Sequence, residues 1–171
     1  MFKHWDSFYL LIGSAAAALI GLLFIVATLT AGLDGEQSQR GARVYLTPTV
    51  FHLAVSLVVS AVALAPSLTA IGVGGSIAAV SALGLIYSVS VAGQIRRMSR
   101  GADAPHWTDF WFYGVLMAVT YLALEAGAIS VWAAPASAPC VIGFVLLALL
   151  LLGIRNAWDL VTWIAPRAKR V

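Results

Sequence analysis

FYLLIGSAAAALIGLLFIVATLTA, residues 8–31, is the stretch that decides the fold. It runs for 24 residues without a charge. A helix needs about 20 mostly apolar residues to cross a bilayer. Lys3 precedes it, as in a secretory leader, but the apolar region of a cleavable leader is roughly 7–15 residues long. The stretch therefore reads as a retained transmembrane helix, with Asp6 or Ser7 as its N-cap.

Four more stretches follow. Residues 47–65 make the second, with Pro48 in the first turn, where a missing N–H costs nothing, and Pro66 as its stop. The third, 68–95, begins after so short a turn that it pairs with the second as an antiparallel hairpin. The fourth covers 108–129. The fifth, 138–165, has Pro139 in its first turn, leaves the apolar layer near residue 154 and ends at Pro166. The expected architecture is an all-α, multi-pass transmembrane bundle of five helices, a single integral membrane domain over residues 1–171.

Composition agrees. Apolar residues make up 61% of the chain and charged ones 10%, with mean hydropathy +0.95. Soluble domains carry about 25% charged residues, and this much apolar surface in water would aggregate. Net charge is +3 and pI 9.4. The basic residues sit at helix ends rather than on a polar domain, so nucleic acid is excluded as a partner. The single cysteine, Cys140, has no partner for an intramolecular disulfide.

Orientation follows from the loops. Residues 32–45 form a polar linker, 96–107 a short basic one, and 130–137 an uncharged one. With five crossings, the first two linkers and the C-terminal tail share a side, which holds Arg40, Arg43, Arg96, Arg97, Arg100, Arg155, Arg167, Lys169 and Arg170. The other side holds Lys3. Basic residues concentrate on the cytoplasmic side, so the N-terminus is expected outside and the C-terminus in the cytoplasm. Trp5, Tyr9 and Trp132 fall at the outer edge, and Tyr45, Trp107, Trp111, Trp158 and Trp163 near the inner one, the headgroup level that aromatic rings favour. Compactness and alanine richness suit a bacterial inner (plasma) membrane.

Close packing in lipid relies on small residues. Gly13, Ala17 and Gly21 recur every four residues in the first stretch, Gly74, Ala78 and Ala82 in the third, and Gly114 and Ala118 in the fourth. The first and third stretches are thus expected to make the tightest contacts, within one protomer or between copies. A polar line, Thr49, His52, Ser56 and Ser60, shares one face of the second stretch. Ser81, Gly84 and Ser88 lie on a comparable face of the third. Such a line is either a polar pathway or a set of hydroxyls bonded to their own helices and neighbours.

Ionisable groups inside hydrocarbon are costly, and each is a functional candidate. Glu125 lies on one face with Gly114, Ala118 and Tyr121. With Tyr121 it is a candidate ion or proton site, the alternative being a carboxylate held by Tyr121 or by another helix's hydroxyl. His52, one turn into the second stretch, suits a proton carrier or metal ligand, or a neutral hydrogen-bonded histidine. Its depth is expected to separate it from Glu125 by much of the membrane. Arg155 and Asp159, spaced i,i+4, with Trp158 on the opposite face, read as an interfacial anchor. The basic residues around it would touch anionic lipid at the cytoplasmic face.

No H-E-x-x-H, G-x-S-x-G or phosphate loop is present, and no Cys/His cluster points to zinc or iron–sulfur. His4 and His106 fall outside the spans, so no cofactor is expected; His52 with His106 is the one weak metal pairing left. The leading functional expectation is non-catalytic: a homo-oligomeric channel or transporter for a small solute or ion. Two other readings stay open, an accessory or scaffold subunit bound to a membrane-protein partner and an intramembrane enzyme acting on lipid. Reporter tags at Gln37 and Val171 are expected to fall in the same compartment, as measured by impermeant-reagent labelling; opposite compartments would break the five-crossing topology.

Overall fold

A computed structural model of the chain describes residue 2 and residues 4–30, 46–98 and 107–168, apart from the side chains of 29, 30 and 163–168. The polar linker, the residues around Arg100 and His106, Lys3, and Lys169 and Arg170 lie outside the described residues. So do the side chains of Trp163 and Arg167. The order of elements is α1 (Asp6–Thr30), α2 (Thr47–Leu64), α3 (Ala70–Met98), α4 (Trp107–Ala133) and α5 (Ala138–Ala168). All five are long and apolar enough to cross a membrane.

Helix ends follow local chemistry. α2 begins with Pro48 in its first turn and ends at Ala65, whose extended backbone (φ −65°, ψ 120°) is what a following proline enforces. α3 begins two residues later than expected, because the Thr69 hydroxyl accepts the Gly72 N–H at 3.1 Å and caps the helix. α1 begins at Asp6, with the Trp5 carbonyl accepting the Tyr9 N–H, so Asp6 occupies the first turn instead of capping it. α5 runs two residues past Pro166. A proline near a helix end removes a single N–H, which a last turn tolerates more readily than a helix interior does. Arg96 and Arg97 occupy the last turn of α3, where they meet the negative end of the helix dipole. That end of the bundle is called the basic end below.

The distribution of side chains is the reverse of a water-soluble protein. Phe24 (69% exposed), Ile71 (76%) and Ile86 (68%) point outward. Thr49, His52, Ser56, Ser60, Ser81, Ser88 and Asn156 are buried. A hydrocarbon surrounding would accommodate the first set, and most of the second finds partners inside the bundle.

The helices approach through glycines. α1 and α2 run antiparallel with Gly13 against Ser60, where an added Cβ would lie 3.1 Å from the serine Cβ. α3 and α4 run antiparallel along three such contacts: Gly74 under the Trp132 ring, Gly84 under the Tyr121 ring and Gly114 against Ala92. α5 closes the bundle against three helices, with Gly127 of α4 on Ile142, Gly143 on Phe8 of α1 and on the preceding Trp5, and Gly153 on Leu53 of α2. The Tyr9 hydroxyl ties α1 to α5 by donating to the Pro139 carbonyl at 2.8 Å. α2 also packs on α3 across the short turn, but more lightly than α1 packs on α2 or α3 on α4. Leu53, Val59, Ile77, Met117, Leu124, Ile142, Leu146 and Leu149 form the dry centre.

Two of the expected packing stripes lie only partly inside the protomer. Ala17, Gly21 and Ala82 are exposed, and nothing lies within 4 Å of a Cβ built on Gly21. The inward face of α1 is instead Tyr9, Ile12, Gly13 and Ala16. A four-residue repeat advances 400° around a helix that completes a turn in 360°, so the stripe drifts off the contact within two turns. Gly74, Ala78, Gly114 and Ala118 stay buried or half-buried.

Gly84→Val should lower the melting temperature in detergent, since overpacking costs about 1–3 kcal/mol. Gly21→Leu should leave it within about 0.5 kcal/mol of the parent. Equal melting of the two variants would contradict the packing described.

Candidate functional site

Three helices meet around one histidine. His52 of α2 is 0% exposed. Its Nδ1 lies 2.7 Å from the hydroxyl of Tyr121 on α4. Phe51, Tyr87 and Tyr121 surround the imidazole with ring centroids at 5.6, 6.2 and 5.5 Å. Phe51 and Tyr87 in turn pack at 4.5 Å. Gly84 makes this possible: a side chain there would strike the Tyr121 ring, so the bare backbone of α3 lets the phenol reach across to α2. His52 Nε2 is buried and has no hydrogen-bond partner among the described residues.

The polar line of α2 is therefore one buried face, with contrasting members. Ser56 donates to the His52 carbonyl at 3.2 Å, the usual way a helical serine satisfies itself. Thr49 is buried within the same face. Ser60 Oγ, beside Gly13, is buried with no partner among the described residues.

One turn beyond Tyr121, Glu125 is half-buried and bonded through Oε2 to the Ser81 hydroxyl of α3. Ser81 Oγ also lies 3.0 Å from the Ala78 carbonyl. The hydroxyl has one proton and the arrangement has two closed forms. A carboxylate accepts the Ser81 proton; a carboxylic acid donates to Ser81 Oγ, and Ser81 then donates to the Ala78 carbonyl. Either protonation state of Glu125 keeps a partner. Ser88, one face further along α3, donates to the Gly84 carbonyl at 2.8 Å.

His52 and Glu125 are closer in depth than expected. The two residues they address, Tyr121 and Glu125 itself, are four apart on α4, about 6 Å along its axis. Unequal helix lengths explain the difference. α2 has 18 residues and α4 has 27, roughly 27 and 40 Å at 1.5 Å per residue. α4 extends beyond α2 at the basic end, and this brings its Tyr121 level with His52.

A second polar cluster joins α4 to α5. Residues Phe110–Val115 of α4 form a π-helical turn, in which the Leu116 N–H reaches back to the Trp111 carbonyl. The buried Asn156 of α5 sits against it, with Nδ2 3.5 Å from the Phe112 carbonyl. The Tyr113 hydroxyl donates to the Asn156 carbonyl at 2.9 Å. Arg155 stacks its guanidinium 3.6 Å over the Phe112 ring, donates to Asn156 Oδ1 at 3.2 Å and lies 3.9 Å from the Asp159 carboxylate. The i,i+4 pair expected for an anchor is present, but Arg155 also packs on α4. Trp158 is 70% exposed on the other side. Asn156 was not legible as a buried residue. A lone amide beside an arginine gives no periodic signal, and nothing in residues 110–115 announces a π turn.

Among the described residues, no three His, Cys, Asp or Glu side chains converge as metal ligands would. No protein-family model matches this chain, and no curated protein or solved structure matches it either.

Asn156→Leu should lower thermal stability by about 1–3 kcal/mol through its lost partners, while Ser60→Ala, which removes an unpartnered hydroxyl, should be neutral or stabilising. Melting curves of the two variants in one detergent check this contrast; destabilisation by Ser60→Ala alone would reverse it.

Proposed function

We propose that the chain is a transporter or channel for a small cation in a bacterial inner membrane, with its N-terminus outside and its C-terminus in the cytoplasm. The observation that carries this reading is Glu125. It is an ionisable group inside a candidate membrane span, partnered by the Ser81 hydroxyl and by no basic residue among those described. A carboxylate in hydrocarbon without a fixed counter-charge favours a mobile one. The bias of Lys and Arg to one set of segments supports the orientation.

Glu125 is half-buried and stands outside the dry centre of the bundle. A pathway between copies of the chain is consistent with that, and the outward-facing Ala17, Gly21 and Ala82 leave room for a second copy to approach. Basic residues at the cytoplasmic end would hold anionic lipid headgroups.

The test is tracer uptake of sodium and potassium into liposomes holding the purified protein. The parent protein should exceed empty liposomes, and Glu125→Gln should reduce uptake by about tenfold or more, the scale of a lost charge-assisted contact. Impermeable liposomes together with a co-purifying membrane protein would overturn transport and favour the scaffold reading. An altered lipid profile on overexpression would favour the enzyme reading.

A further inference from the structure

We propose that Glu125 and Ser81 form one seat that holds either a proton or a monovalent metal cation, so that each cation bound releases one proton. The proposal rests on the Glu125 reading above and deepens it: the chain exchanges protons for cations at a single carboxyl.

The argument starts from the one proton of the Ser81 hydroxyl. Ser81 Oγ lies 3.0 Å from the Ala78 carbonyl and is bonded to Glu125 Oε2. A hydroxyl has one proton and two lone pairs. When Ser81 donates to the Ala78 carbonyl, its lone pairs and the carboxyl oxygen face each other. Two oxygens so placed repel unless a positive charge lies between them. A proton on Glu125 supplies it. A metal cation supplies it as well, since hard cations take oxygen ligands. Proton and cation then occupy the same gap, and one excludes the other. With neither present, Ser81 turns its own proton to the carboxylate.

The exchange balances. The O–H bond of the Glu125 acid breaks and its proton leaves to solvent. The cation takes its place between Oε2 and Oγ, while Ser81 keeps its bond to Ala78. The seat is neutral before and after. Emptied of both, it carries one negative charge, which hydrocarbon disfavours. Turnover therefore runs between the two loaded forms, one cation for one proton.

Charge also selects the ion. Among the described residues, no three His, Cys, Asp or Glu side chains converge, and Glu125 stands with a hydroxyl. A divalent ion on one carboxylate would leave a net positive charge in lipid, a cost of the same kind. Access comes from the border that Glu125 occupies. Leu122, Ala126 and Ile129, next to it on the surface of α4, are all exposed.

Other titratable groups stand apart from the seat. On α3, Tyr87 lies beside the His52 imidazole. Arg96 and Arg97 are in the last turn, roughly 22 Å along the axis from Ser81. On α4, Tyr121 is one turn away, and its hydroxyl is engaged by His52 of α2. α5 meets α4 at Gly127, about 200° round the helix from Glu125. Its Cys140, Arg155 and Asp159 therefore lie on another side.

The experiment uses the purified full chain in detergent, weakly buffered, with a pH-sensitive dye. Sodium or potassium chloride should release protons, approaching about one per chain at acid pH, and choline chloride at equal ionic strength should release none. Within that range, apparent cation affinity should weaken about tenfold for each unit by which pH falls. Glu125→Gln should abolish the release. Ser81→Ala should weaken cation binding about tenfold or more, the scale of a lost contact to a charge, and Ser81→Thr should restore it. Ser88→Ala, whose hydroxyl is bonded to the Gly84 carbonyl, should behave as the parent. Cation affinity independent of pH, or equal proton release from Glu125→Gln, would overturn the shared seat. So would parent-level cation binding in Ser81→Ala. Release by calcium chloride in preference to sodium and potassium would overturn the monovalent assignment. No proton release from the parent, with tracer uptake in liposomes still lost in Glu125→Gln, would overturn the exchange and leave the Glu125 reading standing. No release and no dependence of uptake on Glu125 would overturn both.

Discussion

The Tyr121 ring rests on the bare backbone of Gly84, and the rest of the interior depends on that contact. In hydrocarbon, helices gain little by hiding apolar surface from apolar tails, so proximity of backbones has to supply the attraction. Glycine is the residue that permits it. At Gly84 the close approach also carries a phenol across α3 to His52 of α2, linking three helices through one side chain. The same approach brings Glu125, one turn along α4, within reach of Ser81. One packing contact thus places both polar nodes.

The bundle separates two kinds of polar contact. At the basic end, Arg155, Asn156, Asp159 and Tyr113 close around the π turn of α4 and satisfy one another. That cluster is a joint between α4 and α5. A π turn widens the backbone and presents a carbonyl, and here a buried amide reaches it. In the centre the arrangement is left open. His52 Nε2 lacks a partner among the described residues, and Ser81 offers Glu125 a partner in either protonation state. A joint gains from complete satisfaction, whereas a proton or ion site needs an unused valence. The contrast between the two clusters supports the proposal that function lies with Glu125.

Much of the helical frame was legible along the chain, because the bilayer imposes a length and a composition that no tertiary contact has to supply. Pro48, Pro66 and Pro139 mark ends through missing donors and fixed φ. Stripes of small residues were a weaker guide. Gly13, Gly74 and Gly114 pack as glycine spacing suggests, but Ala17, Gly21 and Ala82 face outward. A stripe shows which backbone is bare, and it does not show which neighbour comes to it. The contacts at Gly127, Gly143 and Gly153 lie on α4 and α5 outside any of those stripes.

The sequence by itself determined five candidate spans, the polar face of α2 and the isolation of Glu125 from any neighbouring base, since each is a property of one segment and its periodicity. Tertiary structure alone decided what meets what: Tyr121 with His52, Ser81 with Glu125, Asn156 with the π turn. The cause is that depth in a bundle depends on where each helix starts relative to the others. α4 is longer than α2 and extends past it, so residues that look far apart when counted from their own helix ends arrive at nearly the same level.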